Sequence, residues 1–329
     1  MSSQLPSRSP LQPSETPPNR RALLRGTALG AAALAAPAAG LLGAPPAAAA
    51  PAEAAAAAPI DSEVRRYRTR KGTEYGVLGL WPDQPTRVIL SVGNIVDLKT
   101  PYYTQAAIYL RKLGYMVVSI DMPSHASQII DPVNDLGLDG WAWRLRNGMN
   151  FVDEHNKRMH DVVNTLIGTG RTRAGMMVVQ GTSRGGFLAF HYAMYDDRVV
   201  CVSGYSPITD LVATQWFAPI ADNPLVQQLN VTNPDRIADI LGIPVFIVIG
   251  DRDGVVSNRA AYAWSQSLSD ASRNAGVPRE YAFHQLSEPV GHTVPKGGQL
   301  LGAAWVLKVL QKMTPDQAFA TAAANGMSW

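Results

Sequence analysis

A strand forced to become a helix within a single turn constrains this chain more than any other feature. The apolar run Met176-Met177-Val178-Val179 leads into Gly181-Thr182-Ser183-Arg184-Gly185-Gly186, and a helical pattern leaves from Phe187-Leu188-Ala189-Phe190. Such a turn brings the strand and helix backbones together, so a side chain at 181 or 185 would collide with them. Ser183 is then lifted above the sheet with a helix N-terminus beneath it, the setting in which Gly-x-Ser-x-Gly becomes a nucleophile elbow. The same pattern also arises as a Gly-rich turn with an incidental serine, so the rest of the chain must decide between them.

A lone serine is a poor nucleophile and requires a base and an orienting acid. In the strand–elbow–helix setting the chain order is serine, then an acid, then histidine. Pro244-Val245-Phe246-Ile247-Val248-Ile249 reads as a buried strand, and Gly250-Asp251-Arg252-Asp253-Gly254-Val255-Val256 follows it. Asp253 lies far enough past the strand end to bend toward a histidine, whereas Asp251 is placed to fix the loop through local hydrogen bonds. Glu280 to Leu286 reads as the next strand, with Pro289-Val290-Gly291-His292-Thr293 beyond it. His292 sits on a loop after glycine and is the expected base. His284 lies inside the alternating strand pattern and is expected to be a packed residue.

These residues carry a resemblance. The Gly181–Gly186 turn, the Gly-Asp-Arg-Asp-Gly-Val-Val loop and Gly291-His292 together resemble an α/β-hydrolase. Gly-x-Ser-Arg-Gly-Gly, then Asp196-Asp197-Arg198-Val199 and Ser206-Pro207-Ile208-Thr209-Asp210-Leu211, is similar to single-domain prolyl-oligopeptidase-like and esterase-like members. The resemblance covers roughly residues 65–312 and implies Ser183 as nucleophile, Asp253 as acid and His292 as base. It names no substrate, because the fold hosts many chemistries. It also suggests an oxyanion hole from the backbone N–H groups of Asn94 and Arg184. Asn94 follows the early strand Arg87 to Val92 and Gly93, with Val92 standing where many relatives carry histidine.

Other polar residues are weighed against that site. Ile120-Asp121-Met122-Pro123-Ser124-His125-Ala126 resembles the Asp-x-Pro-Gly-His-Gly loop of many relatives, with Ser124 and Ala126 in place of glycines. His125 is expected to make structural hydrogen bonds near the site. Arg184 is expected either to contact substrate or to pair with an acid behind the elbow. His155 and His160 are read as solvated surface, since a spacing of five does not make a metal pair on one helix face. His191 is read as a core or edge residue. No cysteine cluster supports zinc, and no metal or organic cofactor is implied.

The first 58 residues are set apart from the fold. Asn19-Arg20-Arg21-Ala22-Leu23-Leu24-Arg25 precedes a weakly hydrophobic Gly/Ala-rich run and then Ala-x-Ala options interrupted by Pro45, Pro46 and Pro51. That is the layout of a signal read by the twin-arginine export machinery, with a periplasmic or secreted product. The run is mostly alanine and glycine and falls short of the roughly 20 strongly apolar residues of a membrane span, so no stable span is expected after processing. Without residues 1–58, which hold four arginines and two glutamates, 25 basic and 24 acidic residues remain. That near balance makes no electrostatic case for nucleic acid or an anionic membrane. The single cysteine, Cys201, lies in an apolar run and is expected to be a small buried hydrophobe.

Residues 59–329 suffice for one α/β domain. Antiparallel edge strands are expected near 64–70 and 75–80. Strands near 87–92, 116–120, 176–180, 199–203, 245–249 and 280–286 then alternate with helices near 103–113, 152–167, 184–195, 260–275 and 299–312. This alternation predicts a mostly parallel, twisted sheet with helices on both faces and reactive residues at the strand carboxyl ends. Two long connections, 126–150 and 208–240, are expected to form short cap insertions, with Trp141, Trp143 and Trp216 as candidate pocket residues. The tail after Met313 is expected to be loosely held. The chemistry expected is carboxylic ester hydrolysis through an acyl-enzyme. The alternatives are a propeller-less peptidase of the prolyl-oligopeptidase type, acting on a peptide, or a catalytically silent binding protein.

Overall fold

The computed structural model describes residues 63–79, 81–278, 280–287 and 291–325. The proposed export signal lies outside the described residues, as do Pro289, Val290 and the last four residues. Eight strands form one sheet in the order β1-β2-β4-β3-β5-β6-β7-β8. They are β1 (Val64–Arg68), β2 (Glu74–Leu78), β3 (Val88–Val92), β4 (Met116–Ser119), β5 (Met177–Thr182), β6 (Val199–Tyr205), β7 (Val245–Gly250) and β8 (Tyr281–Leu286). β2 runs antiparallel to β1 and β4, and every other pairing is parallel. The expected alternation and the expected antiparallel edge are both present.

Helices cover both faces. In chain order they are α1 (Pro101–Thr104), α2 (Ala107–Leu110), α3 (Gly137–Arg146), α4 (Phe151–Gly168), α5 (Arg184–Tyr195), α6 (Pro224–Leu229), α7 (Pro234–Ile240), α8 (Asn258–Ala275), α9 (Gly298–Gln311) and α10 (Pro315–Asn325). Val88, Leu90 and Val92 of β3 point into one core with Phe151, Met159, Phe187 and Trp264. Ile89, between them, points into the other with Leu110, Val306 and Ala318. Burial on both faces is why these strands read as continuous apolar runs. Cys201 is buried in the second core, and that burial pushes its thiol well above the ordinary range.

Two expectations need correction. His155 and His160 are not a solvated pair. His155 falls in the stripe Phe151, Val152, His155, Met159, Val162, Val163, Leu166 that α4 buries, and it is fully enclosed. His160 meets Asp196 through Nδ1 at 3.0 Å. The tail is also not loose over its first part. α10 buries Ala318 and Ala322 in the second core. The cap insertion after β4 is helical over Gly137–Arg146.

Candidate active site

The elbow is held by backbone sterics. A Cβ on Gly181 would overlap the Gly185 carbonyl, and one on Gly185 would overlap the Val92 carbonyl at the end of β3. A Cβ on Gly186 would stand 2.6 Å from Pro207 Cβ. Ser183 itself takes φ 54° and ψ −122°, a strained conformation for a side-chain-bearing residue. Its backbone is fixed on all sides. The N–H donates to Tyr205 O at 2.9 Å, and the carbonyl accepts from Gly186, Phe187 and Ile208. Nine percent of Ser183 is exposed.

Asp253 and His292 meet. His292 Nδ1 lies 2.8 Å from Asp253 Oδ2 and 3.1 Å from Oδ1. The Asp253 side chain is wholly buried, and its Oδ1 also accepts from Val255 and Val256 N–H. Since the carboxylate only accepts, Nδ1 carries the proton and Nε2 is left with its lone pair. That Nε2 is buried and has no hydrogen-bond partner among the described residues. Asp251 serves the loop instead. Its N–H donates to Leu286 O and its carbonyl accepts from Asn258 Nδ2.

Two hydrogen-bonded paths tie the elbow to the histidine loop. Ser183 N–H donates to Tyr205 O, and the next residue, Ser206, donates through Oγ to Thr293 O at 2.8 Å. On the other side Thr182 Oγ1 donates to Tyr102 O at 2.8 Å, and the Tyr102 hydroxyl reaches His292 O at 3.4 Å. Burial, with smaller contributions from Tyr103 and Asp253, pushes the Tyr102 phenol up to about 12, so it stays a neutral donor. His284 is not part of this cluster. It lies in β8 opposite Val248, with its ring 5.4 Å from Phe246, and burial lowers its pKa.

The loops after β3 and β4 brace one another. Asp121 Oδ1 accepts from Ile95 N–H at 3.0 Å, and Oδ2 accepts from the Ser127 hydroxyl at 2.7 Å. Asn94 Oδ1 accepts from Met122 N–H at 3.3 Å. The expectation of a free Asn94 N–H is not met, because that group donates to Asp97 Oδ2 at 3.3 Å in a capping box. Asn-x-x-Asp before an apolar residue was the legible signal for that cap. Arg184 N–H, at the first position of α5, has no partner within its helix and remains a donor beside Ser183. Ser124 and Ala126 hold φ 63° and 46°, so the backbone keeps the glycine-like geometry without the glycines. His125 donates from Nδ1 to Pro123 O at 2.8 Å, a structural bond as expected.

The tryptophans separate. Trp141 is fully buried, donates to Pro123 O at 2.7 Å and stacks on Phe151 at 4.4 Å. It is a core residue and not a pocket wall, because its amphipathic helix turns it inward. Trp143 and Trp216 are only half-buried and stay available as pocket walls. His191 is buried in the core, with Nε2 against Leu229 O at 2.8 Å. No group of three or more metal-ligating side chains occurs among the described residues.

The Esterase family model matches residues 148–294, a span holding Ser183, Asp253 and His292. No curated protein matches the sequence. A puromycin-hydrolysing peptidase from Mycobacterium tuberculosis aligns with TM-score 0.55 and 16% identity, over 76% of this chain and 39% of that one. The Thermus thermophilus protein TT1662 aligns with TM-score 0.52 and 17% identity, over 76% of this chain and 99% of that one. An acylaminoacyl peptidase from Pyrococcus horikoshii gives TM-score 0.56 and 12% identity, over 78% and 44%. This chain thus spans 39% of the first and 44% of the second peptidase. Likeness at such identities is a likeness of fold.

Proposed function

We propose that this chain, an α/β-hydrolase, cleaves carboxylic esters with Ser183 as nucleophile, His292 as general base and Asp253 as the residue that orients His292. The observation that carries this reading is the His292–Asp253 pair at 2.8 Å, which leaves a buried, unpartnered Nε2 on a loop tied to the elbow. The proposed proton path requires the Ser183 hydroxyl to donate to that nitrogen. His292 takes the proton as Ser183 attacks the carbonyl carbon, then gives it to the departing alcohol. Water, activated by the same imidazole, releases the acid and regenerates the serine. Asp253 stabilises the imidazolium formed at each step. Arg184 N–H stabilises the developing oxyanion.

Peptide hydrolysis is the second reading, supported by the structural neighbours described as peptidases. The family match favours esters. A panel of p-nitrophenyl esters beside aminoacyl p-nitroanilides separates the two. Higher kcat/KM on esters supports the ester reading, and preference for the anilides overturns it.

Export belongs to the same proposal. Arg20 and Arg21 precede a weakly apolar run, which suits the twin-arginine route and a periplasmic or secreted enzyme. Changing both to lysine is expected to leave the protein in the cytoplasm, as read by fractionation. Unchanged export would contradict this route.

A further inference from the structure

We propose that Arg184 is a specificity-determining residue that pairs with a carboxylate carried by the substrate beside its scissile ester. The inference rests on the ester-hydrolase reading above and adds a substrate class to it.

Arg184 follows the nucleophile directly and is only partly exposed. Its Nε is buried and has no hydrogen-bond partner. Among the described residues no acid pairs with it, which favours substrate contact over an acid behind the elbow. Arg171 also has a buried Nε without a partner, but its Nη1 meets Asp83 at 3.3 Å. Arg144 is held by Asp135 and Glu154, Arg198 by Asp196, and Arg158 donates to Asp121 O.

Tyr102, from the loop after β3, and His125, from the loop after β4, both sense the Arg184 charge. Tyr102 is a neutral phenol. Burial and then Arg184 lower the pKa of His125, so that ring is neutral too. Among the described residues, the carboxylates of the neighbouring loops are engaged by other donors. Asp253 holds His292, Asp97 holds Asn94, Asp121 holds Ile95 and Ser127, and Asp135 holds Arg144. A buried Nε without a partner is unfavourable, and a planar carboxylate is the group that best matches a guanidinium's fork of donors. A neutral ester cannot supply one.

The carboxylate could belong to the acyl or the alcohol part of the ester, and paired substrates distinguish them. For the acyl side, p-nitrophenyl hemisuccinate is compared with its neutral methyl ester. For the alcohol side, 4-acetoxybenzoate is compared with methyl 4-acetoxybenzoate. Using the full chain after export processing, kcat/KM is measured for each member and expressed as a charged-to-neutral ratio. That ratio divides out effects common to both esters. The wild type is expected to favour the charged member of at least one pair about tenfold or more. Arg184→Gln is expected to bring that ratio to about one through KM for the charged ester, with Arg184→Lys between. A wild-type ratio near one in both pairs overturns the proposal, and so does a ratio unmoved by Arg184→Gln. Ser183→Ala, measured on the neutral esters, tests the nucleophile separately.

Discussion

The cap after β4 and the elbow after β5 each hold an arginine, and they treat it in opposite ways. In the cap, Arg144 is 1% exposed, with Nε and Nη2 on Asp135, Nη1 on Glu154 and Nη2 also on Gln128 O. At the elbow, Arg184 has no ion pair among the described residues and a buried Nε without a partner there. The same contrast runs through their surroundings. In the cap, Ser124 also donates to Asp135, and Trp141 spends its N–H on Pro123 O. Beside the elbow, His292 Nε2 is left unpartnered. Saturated polar groups hold a structure in one arrangement, whereas unsaturated ones near a strained serine are suited to act on something else.

The largest expected effect lies on the elbow side. Ser183→Ala should lower kcat/KM for esters by about 10⁴-fold or more, and Asp253→Asn by about 10⁴-fold. Both should leave the thermal midpoint nearly unchanged, and a large stability loss would blur the contrast. The cap should behave conversely. Arg144→Ala strands the fully buried Asp135 carboxylate and should cost about 3–5 kcal/mol in denaturant unfolding. A cost below about 1 kcal/mol would break the comparison.

The smallest effect concerns the core behind both regions. Burial, reinforced by Arg158, pushes His155 down to about 3, and burial reinforced by Arg236 does the same to His191. Both rings are neutral in the folded chain, whereas unfolded ones titrate near 6.5. The unfolded state therefore binds more protons between these values. Stability is complete above pH 6.5 and is lost as pH falls toward 3, by about 2 kcal/mol per histidine at pH 5. Denaturant midpoints at pH 7 and 5 measure this, and His155→Leu should reduce the difference.

Legibility followed how local the cause was. The elbow could be read because two glycines sit where backbone meets backbone, and Asp253 and His292 because each follows an apolar strand. Gly186 was quoted in the motif, but its clash with Pro207 depends on a residue 21 positions away in the chain. His155 was misread by comparing it only with His160. Its spacing from Phe151, Met159 and Leu166 placed it on the buried stripe. α10 offered little charge pattern, since its two core contacts are alanines against α2 and α9. Whether Arg184 had a partner was not legible at all, because the answer depends on which carboxylates the loops after β3 and β4 engage.

Active-site labelling tests the central claim most directly. The purified protein is treated with a fluorophosphonate and digested, and the modified peptide is sequenced by mass spectrometry. One adduct is predicted, on Ser183, absent in Ser183→Ala and forming far more slowly in His292→Ala. An adduct on another residue, or ester turnover that persists in Ser183→Ala, would contradict it.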